Sequence, residues 1–310
     1  MKKLVSTILL FNLFIFFISF CIVFIYGVWN NVSFKNFPPP ELSDSYSFND
    51  KISFAKNQKA DIISIGSSLT LNNISSDVVV NHFKTISYLN LASWGICMED
   101  AFKILQFYYK FHKPKKLIIA SNLFDFNSGP KKFNSEELYD FMNSKFSITY
   151  HLKHMNLKHY INNFGSNVKV KNGRVFYLPI PYDKYGGQGL DTIRHLKSWN
   201  DPCINPIVEN SHYVYLDSIS KFCLSKNIEL YFFQSPTRNS LFNDSNRLIT
   251  NNHINRIGKI LSRKNQFFVN SNNQFWNDYL FVDGIHLNAT GAKVFTKYCF
   301  EYLKKHIVAK

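Results

Sequence analysis

From Ala60 onward the chain alternates short apolar runs with stretches of helical periodicity. Asp61 to Ile65 (DIISI), Ser87 to Leu91 (SYLNL), Lys116 to Ala120 (KLIIA) and Ile228 to Phe233 (IELYFF) read as strands. Between the second and third runs, Cys97 to Phe111 sets Ala101, Leu105 and Tyr108 on one helical face at i, i+4 and i+7. A helix ahead of the fourth run shows Tyr215, Ile219 and Phe222 at the same spacing, and a last helix is predicted from about Ala289 to His306. Strand–helix alternation of this kind predicts an α/β fold, a mostly parallel sheet covered by helices on both faces.

Two regions break the alternation. Leu4 to Val28 is almost continuously apolar, and twenty-five residues at about 1.5 Å each cross a roughly 30 Å hydrocarbon core with some tilt. Lys2 and Lys3 precede it, which predicts a cytoplasmic N-terminus and a domain facing outward. A cleaved signal peptide would have a shorter apolar region and a small-x-small exit, whereas this one leaves through Tyr26-Gly27-Val28-Trp29. The expected organisation is therefore an uncleaved membrane anchor over 1–30, a stem over 31–57 stiffened by Pro38-Pro39-Pro40, and a domain over 58–310.

The second break is at about 127–209, read as an insertion beside the active site. It holds two alternating runs around Asn172-Gly173, a hairpin signal over Val168 to Tyr177. The glycine-rich stretch Tyr185 to Gly189 after it reads as a flexible loop.

Composition narrows the function. Of 310 residues, 45% are hydrophobic, enough for a large core, and 31 are Phe. The formal net charge of +15 raises the question of nucleic acid. The basic residues are scattered, however, and carry no finger, basic-helix or RNA-binding signature, so no nucleic-acid partner is expected; an anionic membrane face or an acidic glycan suits the charge equally. The five cysteines, Cys21, Cys97, Cys203, Cys223 and Cys299, contain no C-x-x-C pair and support no zinc site. Cys223 and Cys299 fall in helical segments as expected buried thiols.

Candidate chemistry sits at the predicted strand ends, where parallel sheets place their ligands. Gly66-Ser67-Ser68-Leu69 follows the first strand: a glycine for a sharp turn, then a serine at the rim, although serines there also serve simply as helix caps. Asp283-Gly284-Ile285-His286 precedes the last helix, and an Asp three residues before a His can bend back onto the imidazole and fix its tautomer. Each motif alone is weak.

In order and spacing together, they resemble the SGNH or GDSL-type hydrolase family. Its first block matches Gly66-Ser67-Ser68-Leu69, its second-block glycine matches Gly95, its third-block asparagine matches Asn122, and its final D-x-x-H matches Asp283 and His286. The resemblance covers about 58–126 and 226–305. Ser67 replaces the usual aspartate, and Ala120 and Leu123 stand where glycine and aspartate are usual, leaving Asp125 and Asn127 as other candidates for the Asn122 position.

The resemblance implies a three-layer sandwich with Ser68 as nucleophile, His286 as its base and Asp283 orienting the imidazole. It further implies an oxyanion hole from the Ser68 and Gly95 N–H groups and the Asn122 amide. No metal or other cofactor is needed. Combined with an anchor and stem, it is similar to the envelope members that O-acetylate polysaccharide beside a multipass membrane acyltransferase. The expected partners are then a cell-envelope glycan acceptor and that acyltransferase. A carbohydrate esterase or deacetylase, and a catalytically silent glycan-binding assembly factor, are the alternatives.

Overall fold

The computed structural model describes residues 2–29, 51, 55, 58–127, 136, 138, 140, 182–190, 208–239 and 244–307. Most of the stem, the 168–177 hairpin and Cys203 lie outside them. The chain divides into two compact units, one containing 1–42 and the other 43–135 with 181–310.

In the first unit α1 (Lys2–Trp29) is a helix of 28 residues, about 42 Å long. Its Leu, Ile and Phe side chains are exposed on every side along most of its length. A helix apolar all round and exposed along most of its length is long and apolar enough to cross a membrane.

The second unit is built on five parallel strands, β1 (Ile62–Ser64), β2 (Tyr88–Asn90), β3 (Lys116–Ser121), β4 (Glu229–Gln234) and β5 (Gln266–Asn270), in the order β2-β1-β3-β4-β5. The helices are α2 (Ser68–Asn73), α3 (Ser76–Phe83), α4 (Met98–His112), α5 (Asn210–Ser225), α6 (Asp244–Ile260) and α7 (Ala289–Ile307). Successive side chains on a strand point to opposite faces, so each strand feeds two layers. Ile62, Tyr88, Ile118, Ala120, Tyr231, Phe233 and Val269 face one apolar layer with Val79 of α3 and Phe295, Cys299, Phe300 and Leu303 of α7. Leu117, Ile119, Leu230 and Phe232 alternate with them and are fully buried. They belong to the opposite layer of α4, α5 and α6, where a Cβ on Gly258 of α6 would lie 3.8 Å from the Phe268 ring. A parallel sheet buried on both faces needs unbroken apolar strands, and DIISI, KLIIA and IELYFF supply them.

The structure departs from the sequence reading in three places. On α5 the buried positions are His212, Tyr213, Leu216, Ile219, Ser220 and Cys223, so that of the expected face Ile219 is buried while Tyr215 and Phe222 are half-buried. Phe222 lies at the edge of that face because its ring meets Phe102 and Tyr109 of α4, at 6.1 and 5.4 Å between centroids. β5 and α6 were not expected: β5 is an edge strand, mostly half-exposed, and α6 buries only widely spaced positions such as Thr250, His253 and Ile257. The Tyr185 to Gly189 stretch is no loose loop. The Asp183 carboxylate accepts from the N–H of Tyr185 (2.8 Å) and Gly187 (3.0 Å), and the Asn90 N–H donates to Tyr185 O at 2.7 Å. Its glycines serve close packing: a Cβ on Gly186 would lie 2.6 Å from Asn90 O, and one on Gly187 2.5 Å from Ser76 Oγ.

Cys223 and Cys299 are buried free thiols, as expected, and Cys21 and Cys97 are also free.

Candidate active site

The site grows out of the turn that leaves β1. Gly66 has φ +152°, and a Cβ there would come within 2.4 Å of Thr70 Oγ1, so both conformation and space require glycine. Ser67 is the N-cap of α2, its Oγ accepting from Leu69 N at 3.1 Å. Ser68 is then the first helical residue, with a backbone N–H that no intrahelical carbonyl can take. Thr70 ties the turn to β3, its hydroxyl donating to Ala120 O (2.7 Å) while accepting from Ala120 N (3.0 Å).

His286 approaches from the far end of the chain. Its Nε2 lies 2.8 Å from Ser68 Oγ and its Nδ1 2.7 Å from Asp283 Oδ2. The other Asp283 oxygen accepts from the backbone N–H of Ile285 (2.9 Å) and His286 (2.7 Å), so the carboxylate folds its own loop and orients the ring together. Burial would raise the Asp283 carboxyl. The hydrogen bond and charge of His286, with the two backbone donors, outweigh it and hold the group below the usual carboxylate range.

Two side chains that sequence reasoning missed hold this loop. Asn73, fully buried at the end of α2, accepts from Leu287 N (2.8 Å) and donates to Ile285 O (3.1 Å) and Ser235 Oγ (2.6 Å). It grips the chain on both sides of His286. An asparagine pair ending an apolar hexamer, SLTLNN, is a faint signal for such a clamp. Trp94 packs on the imidazole, centroids 5.2 Å apart at 44°, and its Nε1 donates to Gln188 Oε1 at 3.1 Å. Gln188 is buried, and its backbone carbonyl accepts from Asn72 Nδ2 at 3.0 Å. The 182–190 segment is thereby part of the wall around His286.

The remaining expected positions come from neighbouring strand ends. The loop after β2 returns to β1 through Leu91 N to Ser64 O (2.7 Å) and Ser93 N to Gly66 O (3.0 Å), which carries exposed Gly95 toward the Ser67–Ser68 turn. Gly95 has φ +74° but open space where a Cβ would sit, so conformation alone selects it. Asn122 directly follows β3. Its Oδ1 caps the short turn Leu123–Phe126 by accepting from Phe124 N at 2.9 Å. That bond fixes the side chain's orientation, and its Nδ2 is buried with no acceptor among the described residues.

Asp125, named as another occupant of this rim, lies in the same turn and is not interchangeable with Asn122. Burial pushes its carboxyl up to about 6, against the nearby Ser67 and Ser121 hydroxyls and the His286 charge, which favour the ionised form. Asn127, the third candidate, pairs through its backbone with Val208 instead, and its carbonyl is 3.1 Å from His212 Nε2. Ser67, standing where the resembled family has an acid, thus has a carboxyl from another strand end in its surroundings.

No family model matches this chain, and no curated protein does. Among solved structures it is similar to a protein of Desulfitobacterium hafniense described as lipolytic and of the G-D-S-L family. That match has 10% identity and a TM-score of 0.40, over 77% of this chain and 97% of the other. It is also similar to a protein of Bacteroides fragilis described as an acylhydrolase, with 10% identity and a TM-score of 0.38, over 79% and 90%. Overlaps this distant carry no argument about the site, whose chemistry follows from its own distances.

Proposed function

We propose that this chain is a membrane-anchored serine enzyme of acyl-ester chemistry, with Ser68 as nucleophile, His286 as general base and acid, and Asp283 as the group that orients it. The supporting observation is the continuous run from Ser68 Oγ to His286 Nε2 (2.8 Å) and from Nδ1 to Asp283 (2.7 Å). An Nδ1–H held by a carboxylate leaves Nε2 as the acceptor, the tautomer a base needs.

In the first half-reaction His286 Nε2 takes the Ser68 proton as Oγ bonds to the acyl carbonyl carbon. Ser68 N–H, Gly95 N–H and Asn122 Nδ2 receive the oxyanion, each donor contributing about 3 kcal/mol to lowering the barrier. Collapse breaks the ester C–O bond, the departing alkoxide takes the proton from His286, and the acyl group remains on Ser68. In the second half His286 takes a proton from the incoming hydroxyl, that oxygen attacks the acyl carbon, and Ser68 recovers its proton as it leaves. A sugar hydroxyl makes this O-acyl transfer; water makes it hydrolysis.

We favour transfer of an acetyl or similar acyl group to a cell-envelope glycan. The anchor supports this: by the positive-inside rule, Lys2 and Lys3 before a membrane-length helix favour a domain outside the cytoplasm, on the face where such glycans lie. A multipass acyltransferase is the proposed source of acyl groups. A serine-directed fluorophosphonate should label Ser68 in the intact chain, and purified protein with an acyl donor should pass the label's equivalent, an acyl group, to an oligosaccharide faster than to water. Labelling without transfer to any sugar would leave the esterase reading in its place; no labelling would overturn both.

A further inference from the structure

We propose that the polar pocket at the carboxyl ends of β4 and β5 is a sugar-binding subsite, holding a pyranose ring of the acceptor with an anionic substituent against Arg247. The inference deepens the function proposed above and rests on it for the word acceptor.

The pocket encloses about 540 Å³, within the range of small-ligand sites, and Asn239, Arg247, Asn251, Asn272, Gln274 and Phe275 line it. Thr250 and Asn273 complete the lining, and five of the eight residues are primary amides. An amide both donates and accepts, as does each sugar hydroxyl, so a wall of amides matches a polyhydroxylated ring and offers little to an apolar acyl chain. None of the described lining residues is acidic, which argues against a cation, and Arg247 is the lining residue with a formal charge. Arg247 and Asn251 are four apart on α6 and so present their side chains on one face.

Phe275 supplies the apolar contact that a sugar's C–H face requires. It is 76% exposed, while its neighbour Trp276 is 2% exposed, with Nε1 donating to Ser271 O at 2.8 Å. Burial of Trp276 therefore fixes the loop and holds the Phe275 ring outward. An aromatic ring held outward on a braced loop is available to stack on the C–H face of a sugar. The wall itself is built: Asn270 accepts from Asn272 N (3.1 Å) and donates to Asn273 Oδ1 (2.9 Å), and Asn239 Nδ2 donates to Trp276 O (3.4 Å). Within it the Asn272 Nδ2 is buried with no acceptor among the described residues.

The pocket also shares the catalytic rim. Arg238, one residue before Asn239, donates its N–H to Gly284 O at 2.9 Å, inside the loop that carries Asp283 and His286. A glycan bound here extends along the strand ends toward Ser68.

The test uses the full chain in detergent with Ser68→Ala, so that binding is read without turnover. Saturation-transfer NMR and calorimetry are run with a hexuronate tetrasaccharide and a neutral hexose tetrasaccharide. The expected result is hexuronate binding that weakens at least tenfold on adding Phe275→Ala or Arg247→Met, both exposed positions, with melting temperatures of the parent. Binding of neither oligosaccharide, or hexuronate binding unchanged by both substitutions, overturns the subsite; so does hexose binding that Arg247→Met leaves intact. Fluorophosphonate labelling of the unsubstituted chain reads the acyl chemistry separately. Sugar binding without labelling sinks the enzyme reading and leaves the pocket, and labelling with no sugar bound does the reverse.

Discussion

Two corners of the site are built on opposite rules. Around His286 every polar atom the chemistry uses already has its partner: Ser68 on one ring nitrogen, Asp283 on the other, two backbone donors on the carboxylate and Asn73 on the flanking peptides. At the ends of β2 and β3 the reverse holds. Gly95 is exposed in its loop, and Asn122 spends its oxygen on a cap while its Nδ2 is buried without an acceptor. On the proposed mechanism, the groups that would move a proton are held in the resting state, and those that would meet a developing charge are left unsatisfied until it forms. An unpaired buried donor costs about 1–3 kcal/mol of stability, which is recovered only when an oxyanion arrives.

The sharpest way to break that comparison is to remove the proton path. Ser68→Ala or His286→Ala should each lower turnover of an activated ester by roughly 10⁴- to 10⁶-fold, and the double substitution by little more, because the two act as a unit. Additive losses in a double-mutant kinetic cycle would show them acting separately. On the charge-receiving side Asn122→Ala should cost on the order of 10²- to 10³-fold in kcat with KM little changed. It should also leave thermal stability close to the parent, since the lost cap to Phe124 N is offset by removal of the orphaned nitrogen. A fall in stability with unaltered kcat would make Asn122 a cap and nothing more.

Asp125 sharpens the comparison through pH. Its carboxyl holds its proton to about 6, against 3.8 as the ordinary value, so its contribution to stability is full below about pH 4 and lost as pH rises through 6. Denaturant titrations should show the parent losing on the order of 3 kcal/mol between pH 4 and 7 that Asp125→Asn retains. Asp283 runs the other way: its carboxyl is lowered, so the stability it adds is present above 3.8 and disappears as pH falls through its folded value. Parallel pH curves for parent and Asp125→Asn would contradict this. The smallest effect belongs to Ser67→Ala, about 1 kcal/mol of stability from the lost N-cap, with ester turnover reduced less than tenfold. Loss comparable to Ser68→Ala would mean that the nucleophile is the other serine.

Legibility in the sequence followed how local each cause is. Ser68, Asp283 and His286 were readable because a glycine turn and a D-x-x-H loop each fix their geometry within four residues. β1, β3 and β4 were readable because double-sided burial forces unbroken apolar runs. Asn73 was not, because its partners are Ile285, Leu287 and Ser235, more than 160 positions away in the chain. The glycines at 186 and 187 were misread as flexibility because nothing near them announces Asn90 O or Ser76 Oγ. β5 hid for a related reason: an edge strand half in water needs no continuous apolar run, and QFFVN is bounded by polar residues on both sides.

The Asn73 clamp has a consequence for when the molecule becomes active during its own synthesis. Ser68 and His286 are 218 positions apart, and both α2 and α3 hold the late segment, Asn73 through Leu287 and Ser75 through its N–H to Thr296 Oγ1 at 2.9 Å. A ribosome adding about 5–20 residues per second needs on the order of ten seconds or more to cover that interval. Throughout it the serine is made but has no base. On the proposed function, an emerging chain therefore carries an ordinary alcohol at position 68, and its reactivity waits until His286 and the segment held by Asn73 are in place.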